Sequence, residues 1–292
     1  KGVLTSPDQL HISYVHTPVR YAWDQMNIYL RRSLLRRIGL GPLIRWQLHS
    51  LRQWDQLSSS RIDYLIANSN FTAKRIWKYW KRHSEVLHPP VDVKRFSWNK
   101  PREDFYLSVC RLVPNKRVDI LVRAFNRLKL PLIVVGDGVE KTYLKDIAGP
   151  TVQIIGFQSS EKIEKLMSQC RAFVYAGIED FGITPVEAMA AGAPVIAFAK
   201  GGVLDTVKCF NLNSTTNSTG LLFRDQTVEA LVEAIEFFKE KQLWRDFNPE
   251  LIRDWADSFS QDSFKYRFEK ILNRIWTEHQ NSCDIATSDL SS

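Results

Sequence analysis

The sequence predicts an α/β protein, with a complete parallel-sheet domain behind a shorter, incomplete N-terminal α/β domain. Three observations carry that expectation. From residue 105 onward short apolar runs alternate with helical periods, the pattern of stacked βα units. The length of 292 residues fits two ordinary domains better than one core. Apolar residues make up 44% and aromatics 12%, enough for packed interiors and too much for a disordered chain.

The strands of the larger domain read as FYLSV (105–109), LIVV (132–135), VQII (152–155), AFVY (172–175) and PVIAF (194–198). Helices are expected at 117–129, 139–147, 160–170, 184–191 and 202–208. Together they describe a Rossmann-like domain. The polar run NLNSTTNSTG (211–220) is a loop, LLF (221–223) a further strand and 227–240 a helix, with helical periodicity continuing to about 278. In the mostly helical first hundred residues only HISYV (11–15) and DYLIA (63–67) read as strands, too few for a complete α/β domain. Pro89, Pro90 and Pro101 punctuate the connection between the two parts. The expected organisation is an N-terminal domain at 1–96, a Rossmann-like domain at 97–260, a C-terminal helix at 261–280 packing back on the N-terminal part, and a flexible tail at 281–292.

Charge is unevenly placed. Residues 1–104 hold 18 Lys/Arg against 8 Asp/Glu, and the remainder is near balance, so the net +8 belongs to the first third. Six of the nine tryptophans lie there too: Trp23, Trp46, Trp54, Trp77, Trp80 and Trp98. Interleaved basic and aromatic side chains suit either nucleic acid or an anionic headgroup layer, and composition does not separate the two. Arg31, Arg32, Arg36 and Arg37 alternate with Leu30, Leu34, Leu35 and Ile38 as on an amphipathic helix. No stretch is apolar enough to span a bilayer, the four cysteines form no Cys-x-x-Cys pair, and no local spacing assembles a metal site, so no metal is expected.

Four motifs carry candidate chemistry. In EDFGITPVEAMAAGAPVIA (179–197), Glu179 lies just past the carboxyl end of a strand, before a Phe-Gly turn and a helix. That edge is where open α/β sheets bind ligands, so Glu179 is placed to hold hydroxyls and the amides of Phe181, Gly182 and Ile183 to hold oxygens. Thr184, Pro185 and Glu187 also spell a capping box, which gives Glu187 a structural reading. In SVCRLVPNKRVD (108–119), Arg111 and Lys116 follow the first strand of the domain and suit a diphosphate. In VVGDGVE (134–140), Gly136 and Gly138 flank Asp137 directly after a strand, as a tight turn or a close approach to a ligand. In SYVHTPVRYAWD (13–24), His16 ends a strand and is either an ordinary histidine or a group that bonds a sugar hydroxyl.

The order SVCRLVPNKRVDILVRAF, IVVGDGVE, VQIIGF, EDFGITPVEAMAAGAPVIA, GGVLDTV and TGLLF resembles retaining glycosyltransferases of family 4, which have the GT-B fold. YVHTPVRYAWD in particular resembles bacterial mannosyltransferases that use GDP-mannose, and the resemblance implies that the front of the N-terminal domain is missing. It implies a catalytic set of His16, Glu179, Arg111 and Lys116, with Arg111 and Lys116 on the diphosphate, Glu179 on the donor sugar and His16 beside that sugar. It places Gly136, Asp137, Gly156, Phe157, Phe181, Gly182, Ile183, Thr184 and Glu187 around the donor, with Gly156 and Phe157 near the base and Glu187 on the ribose.

The implied activity is a retaining, metal-independent transfer of a hexose. The donor, a GDP- or UDP-hexose with GDP-mannose foremost, is a substrate, so no cofactor is expected. The acceptor is a glycan or a lipid-linked sugar in surface polysaccharide synthesis. The expected location is cytoplasmic, at the inner membrane face, where the basic, Trp-rich first third meets anionic lipid and nucleic acid is not a partner. The alternative is a noncatalytic GT-B-like binding module whose basic region holds nucleic acid or a partner. A phosphorylase on the same fold would need a phosphate or pyridoxal phosphate site, for which no local motif is present.

Overall fold

The computed structural model describes residues 1–6, 8–20, 22–24, 41–210 and 217–288, with side chains to residue 281. The expected amphipathic helix around Arg31–Ile38 lies outside the described residues, as does most of the polar loop 211–220. The chain divides into two compact units, Lys1–His88 with Lys265–Ser292, and Pro89–Phe264. The division falls at 88/89 and not at 96/97, because the residues after Pro89 pack on the second unit. Val91 pairs with Ser260, and Val91, Val93 and Phe96 are buried in that unit's core.

The first unit holds a parallel sheet of β1 (Ile12–Val15), β2 (Tyr64–Ala67) and β3 (Glu85–Val86), in that order. β3 is too short to leave an alternating pattern in the sequence. Two helices, α1 (Gly41–Ser59) and α2 (Asn70–Trp80), belong to this unit, and Ser69 caps α2 by accepting from the Thr72 amide at 3.0 Å. The core is small: Val15, Ile62, Leu65, Ala67, Ile76 and Trp80. Part of the aromatic richness is internal. The indoles of Trp23 and Trp80 donate to the buried carboxylate of Asp55 at 2.9 and 2.7 Å, and Lys1 pairs with the same group. Trp46, Trp54 and Trp77 are exposed.

The second unit is built on six parallel strands in the order β6-β5-β4-β7-β8-β9. These are β4 (Tyr106–Val109), β5 (Leu132–Val135), β6 (Val152–Gly156), β7 (Ala172–Tyr175), β8 (Val195–Phe198) and β9 (Gly220–Phe223). Strands buried on both faces read as unbroken apolar runs, and β7 and β8 are buried at every position. Helices α3 (Val118–Leu128), α4 (Lys141–Ile147), α5 (Ser160–Gln169), α6 (Ile183–Ala190), α7 (Val203–Thr206), α8 (Val228–Glu240) and α9 (Pro249–Asp257) connect or flank the strands. Asn248 caps α9 through the Glu250 amide at 2.9 Å, with Pro249 at the first helical position.

A final helix, α10, runs Gln261–Ser288, so helix replaces tail through Ser288. Its residues from Lys265 belong to the first unit, where Arg274 pairs with Glu85 and bonds the Tyr64 hydroxyl at 2.8 Å.

Candidate active site

Because all six strands of the second unit are parallel, the loops after them leave along one edge of the sheet. The strand order reverses between β4 and β7: the chain runs outward from β4 through β5 and β6, then returns to the other side of β4. At such a reversal neighbouring loops diverge and open a crevice at the carboxyl ends. Arg111 and Lys116 leave β4 there, and Glu179 leaves β7.

The structure brings Lys116 and Glu179 into contact. Lys116 ends a short 3-10 turn, Pro114–Lys116, and its Nζ forms an ion pair with Oε1 of Glu179. The same oxygen accepts a hydrogen bond from the Tyr175 hydroxyl at 2.6 Å, and Nζ of Lys116 lies 3.3 Å from that hydroxyl. Tyr175 has no polar signature in the sequence, since it ends an apolar strand run. Arg111 is exposed and has no ion pair among the described residues.

The loop that carries Glu179 rests on two glycines after β8. The Gly202 amide donates to the Glu179 carbonyl at 2.9 Å, and a Cβ on Gly202 would overlap the backbone of Phe181 and Asp180. Phe181 turns its ring inward against Phe259, with centroids 5.8 Å apart.

The expected capping box is not formed. Gly182, with φ 93°, is the N-cap of α6, so Ile183, Thr184 and Pro185 are its first three helical residues. Proline at the third position costs no hydrogen bond, because the first helical amides have no carbonyl partner within the helix. The amides of Gly182, Ile183 and Thr184 therefore head the helix at its positive end, as an anion site requires.

Glu187 lies more than a turn further along. Its side chain is 20% exposed and stands 4.0 Å from Arg95, whose Nε pairs with Glu164 at 3.1 Å. Burial pushes the Glu187 pKa above the ordinary carboxylate value; Arg95 opposes the shift, and Asp92 and Glu164 reinforce it.

At the other end of α6, Arg102 donates to Ala191 O at 2.6 Å, Met167 O at 2.9 Å and Cys170 O at 3.3 Å. Arg253 donates to Ala190 O at 3.1 Å and Phe96 O at 2.9 Å. No sequence motif marks Arg95, Arg102 or Arg253.

Gly136 and Gly138 serve the protein's own backbone. A Cβ on Gly136 would overlap the Cys110 carbonyl and one on Gly138 the Leu112 carbonyl, while the Gly136 amide donates to Gly156 O at 2.9 Å. Asp137 is exposed, pairs with Lys141 at 2.6 Å and accepts from the Gly138 amide at 2.8 Å. The Lys141 partner, with that amide, holds its pKa below the ordinary value. Phe157, beside Gly156, is 82% exposed at the same edge.

His16, exposed at the carboxyl end of β1, belongs to the first unit, where its carbonyl accepts from Thr72 Oγ1 at 3.3 Å. Cavities of about 370 and 290 Å³ in the second unit are lined by residues around Trp98 and Arg253 and around Phe105 and Leu166; neither includes Glu179 or Glu187. The chemistry is gathered at the open strand edge. Among the described residues no group of three or more His, Cys, Asp or Glu is placed to hold a metal ion. No helix among them is long and apolar enough to cross a membrane.

The chain is 25% identical over 268 residues to the alpha-1,3/1,6-mannosyltransferase of Candida glabrata, covering 71% of this chain and 58% of the relative. It is 27% identical over 223 residues to a GDP-mannose-dependent phosphatidylinositol monomannoside mannosyltransferase of Corynebacterium glutamicum, covering 62% of this chain and 56% of the relative. The chain thus spans a little over half the length of these two relatives. Among solved structures, the Anabaena protein HepE in complex with UDP and glucose superposes with a TM-score of 0.68 at 19% identity, over 91% of this chain and 72% of that one. The sucrose-phosphate synthase of Thermosynechococcus elongatus gives 0.69 at 20%, over 91% and 68%. The fold is α/β of the GT-B type. The family model for glycosyl transferases group 1 matches residues 91–256, more than half the chain and nearly all of the unit that carries Lys116, Glu179 and Glu187, and the chain belongs to that family.

Proposed function

We propose that the protein is a retaining, metal-independent hexosyltransferase of family 4, which moves mannose from GDP-mannose to a glycan or lipid-linked acceptor in surface polysaccharide synthesis. The meeting of Lys116 and Glu179 across the strand-order reversal carries this reading. A cation beside a hydroxyl-accepting carboxylate is what a departing sugar diphosphate needs. As the glycosidic bond breaks, negative charge develops on the diphosphate, and Lys116, Arg111 and the amides heading α6 stabilise it. A leaving phosphate oxygen then takes the acceptor's proton as the acceptor attacks from the same face, so no protein nucleophile is required. Glu179 holds donor hydroxyls and Glu187 the ribose.

The named activities of the Candida and Corynebacterium relatives support mannose, and that of the second supports GDP-mannose. The UDP and glucose in HepE keep a UDP-hexose as the rival donor. Exposed Trp46, Trp54 and Trp77, with exposed Lys74 and Lys78 on α2 and Lys81 just past its end, support contact with an anionic membrane surface at the cytoplasmic face.

The test is hydrolysis of a panel of GDP- and UDP-sugars by the full-length protein, with calorimetry of GDP and UDP. Lys116→Ala is expected to weaken nucleotide binding by about thirtyfold or more, from the loss of one charge-assisted contact. Absence of nucleotide binding by the wild type would refute the proposal and favour a noncatalytic module.

A further inference from the structure

We propose that Tyr175 is a positioning residue that fixes the Glu179 carboxylate, holding Oε1 within the protein and presenting Oε2 to the donor sugar. The inference rests on the reading of Glu179 as the group that holds that sugar. Tyr175 ends β7, is 4% exposed, and donates its hydroxyl to Oε1 at 2.6 Å. Its ring stacks on Phe173 at 6.4 Å with an interplanar angle of 14°, which ties the ring to the sheet. Gly177 leaves room for the hydroxyl: a Cβ there would stand 2.9 Å from the Tyr175 oxygen and 3.1 Å from Lys116 Cα. The Tyr175 hydroxyl and the Lys116 ammonium both engage the same oxygen of Glu179, Oε1.

Two anions compete for Lys116. In this structure it pairs with Glu179, and in the proposed reaction it turns toward the diphosphate. A carboxylate tied only to that lysine would be released to rotate just when the sugar must be held. The Tyr175 hydroxyl stays on Oε1 throughout, so the orientation of Oε2 does not depend on where the lysine points. A buried tyrosine restrained by packing suits this task, because little rotational freedom remains to be lost on binding.

The experiment is calorimetry of GDP, UDP, GDP-mannose and UDP-glucose on the full-length protein, wild type and Tyr175→Phe. Phenylalanine keeps the ring and removes the hydroxyl. The dissociation constant of the sugar nucleotide is expected to rise about tenfold or more, as for loss of a hydrogen bond to a charged group, while that of the free nucleotide moves less than about twofold. In a Glu179→Ala background the Tyr175→Phe effect should disappear, since the two residues act as one unit. Equal weakening of nucleotide and sugar nucleotide, no change in either, or an effect that survives in the Glu179→Ala background overturns the proposal while the parent reading stands. A wild type that binds no nucleotide overturns both.

Discussion

Arg102 offers the sharpest test of how the site helix is held. Its guanidinium reaches three backbone carbonyls, Ala191 O at 2.6 Å, Met167 O at 2.9 Å and Cys170 O at 3.3 Å, which lie at the carboxyl-terminal ends of α6 and α5. Helix ends leave such carbonyls without intrahelical donors, and the charge also opposes the helix dipoles. Arg102→Met keeps much of the aliphatic stem and removes all three donors. Each hydrogen bond from a charged donor contributes about 1.5–3 kcal/mol. Against this stands the cost of burying the cation, a burial that lowers the Arg102 pKa and that methionine does not bear. The net loss is about 3 kcal/mol, which for a unit the size of Pro89–Phe264 lowers the melting temperature by roughly 6–12 °C. Thermal unfolding followed by calorimetry, with the transition of this unit assigned separately, measures it. Arg102→Lys should fall between, since an ammonium cannot span three carbonyls in the guanidinium's fork geometry. A drop below about 2 °C for Arg102→Met would refute the clamp.

Two further outcomes follow from burial. The folded-state pKa of Glu187 is raised, so the folded protein holds that proton more tightly than the unfolded chain does. Its contribution to stability is therefore greatest at low pH and declines as pH rises from the ordinary carboxylate range through the raised value. Glu187→Gln should raise the melting temperature at pH 7 and lose that advantage toward pH 4, and a lower melting temperature at pH 7 contradicts the shift. The second outcome concerns the thiols. Burial lifts the pKa of Cys110 to about 11 and that of Cys170 to about 12, while Cys209 is exposed. Iodoacetamide at pH 8 should label Cys209 first among these three, and peptide mapping that finds early labelling at Cys170 argues against the packing described.

The parts of the fold that could be read from the sequence are those set by local burial. LIVV and AFVY have the same limits in sequence and structure, because strands covered on both faces need unbroken apolar runs. Two helix starts shift by one residue from their expected positions, 117 and 184, where no side chain makes the cap: α3 begins after Arg117 with φ 52°, and α6 after Gly182 with φ 93°. Lys116 and Glu179 were legible as chemistry, being charged residues just beyond apolar strands. Their pairing was not, because it depends on β4 and β7 being neighbours, a property of the whole sheet. Tyr175 was hidden for the opposite reason. Inside an apolar run a tyrosine reads as core, and only the turn after β7 brings its hydroxyl to Glu179.

The groups that hold the candidate site are thus distinct from those proposed to touch the ligand. Glycines 201 and 202 let the loop after β8 approach the chain at residues 179–181, and Arg102 and Arg253 fix the far end of α6. Tyr175 donates its hydroxyl to Oε1 of Glu179. Each support is rigid: backbone against backbone, a guanidinium on carbonyls, or a packed ring. A metal-free transfer depends on donors and cations already aimed at the leaving diphosphate, since preorganised groups need little rearrangement as charge develops. On the proposed chemistry, a flexible anchor at any of these positions would act first on the rate of transfer, while ground-state nucleotide binding, which tolerates small rearrangements, would change less. Glu187 follows a different logic. Its carboxylate is buried at a cost that only a polar partner offsets, and Arg95, at 4.0 Å and shared with Glu164, offsets it incompletely. A ribose hydroxyl donating to that carboxylate would complete it, so nucleotide binding should draw part of its energy from a strain already present in the free protein.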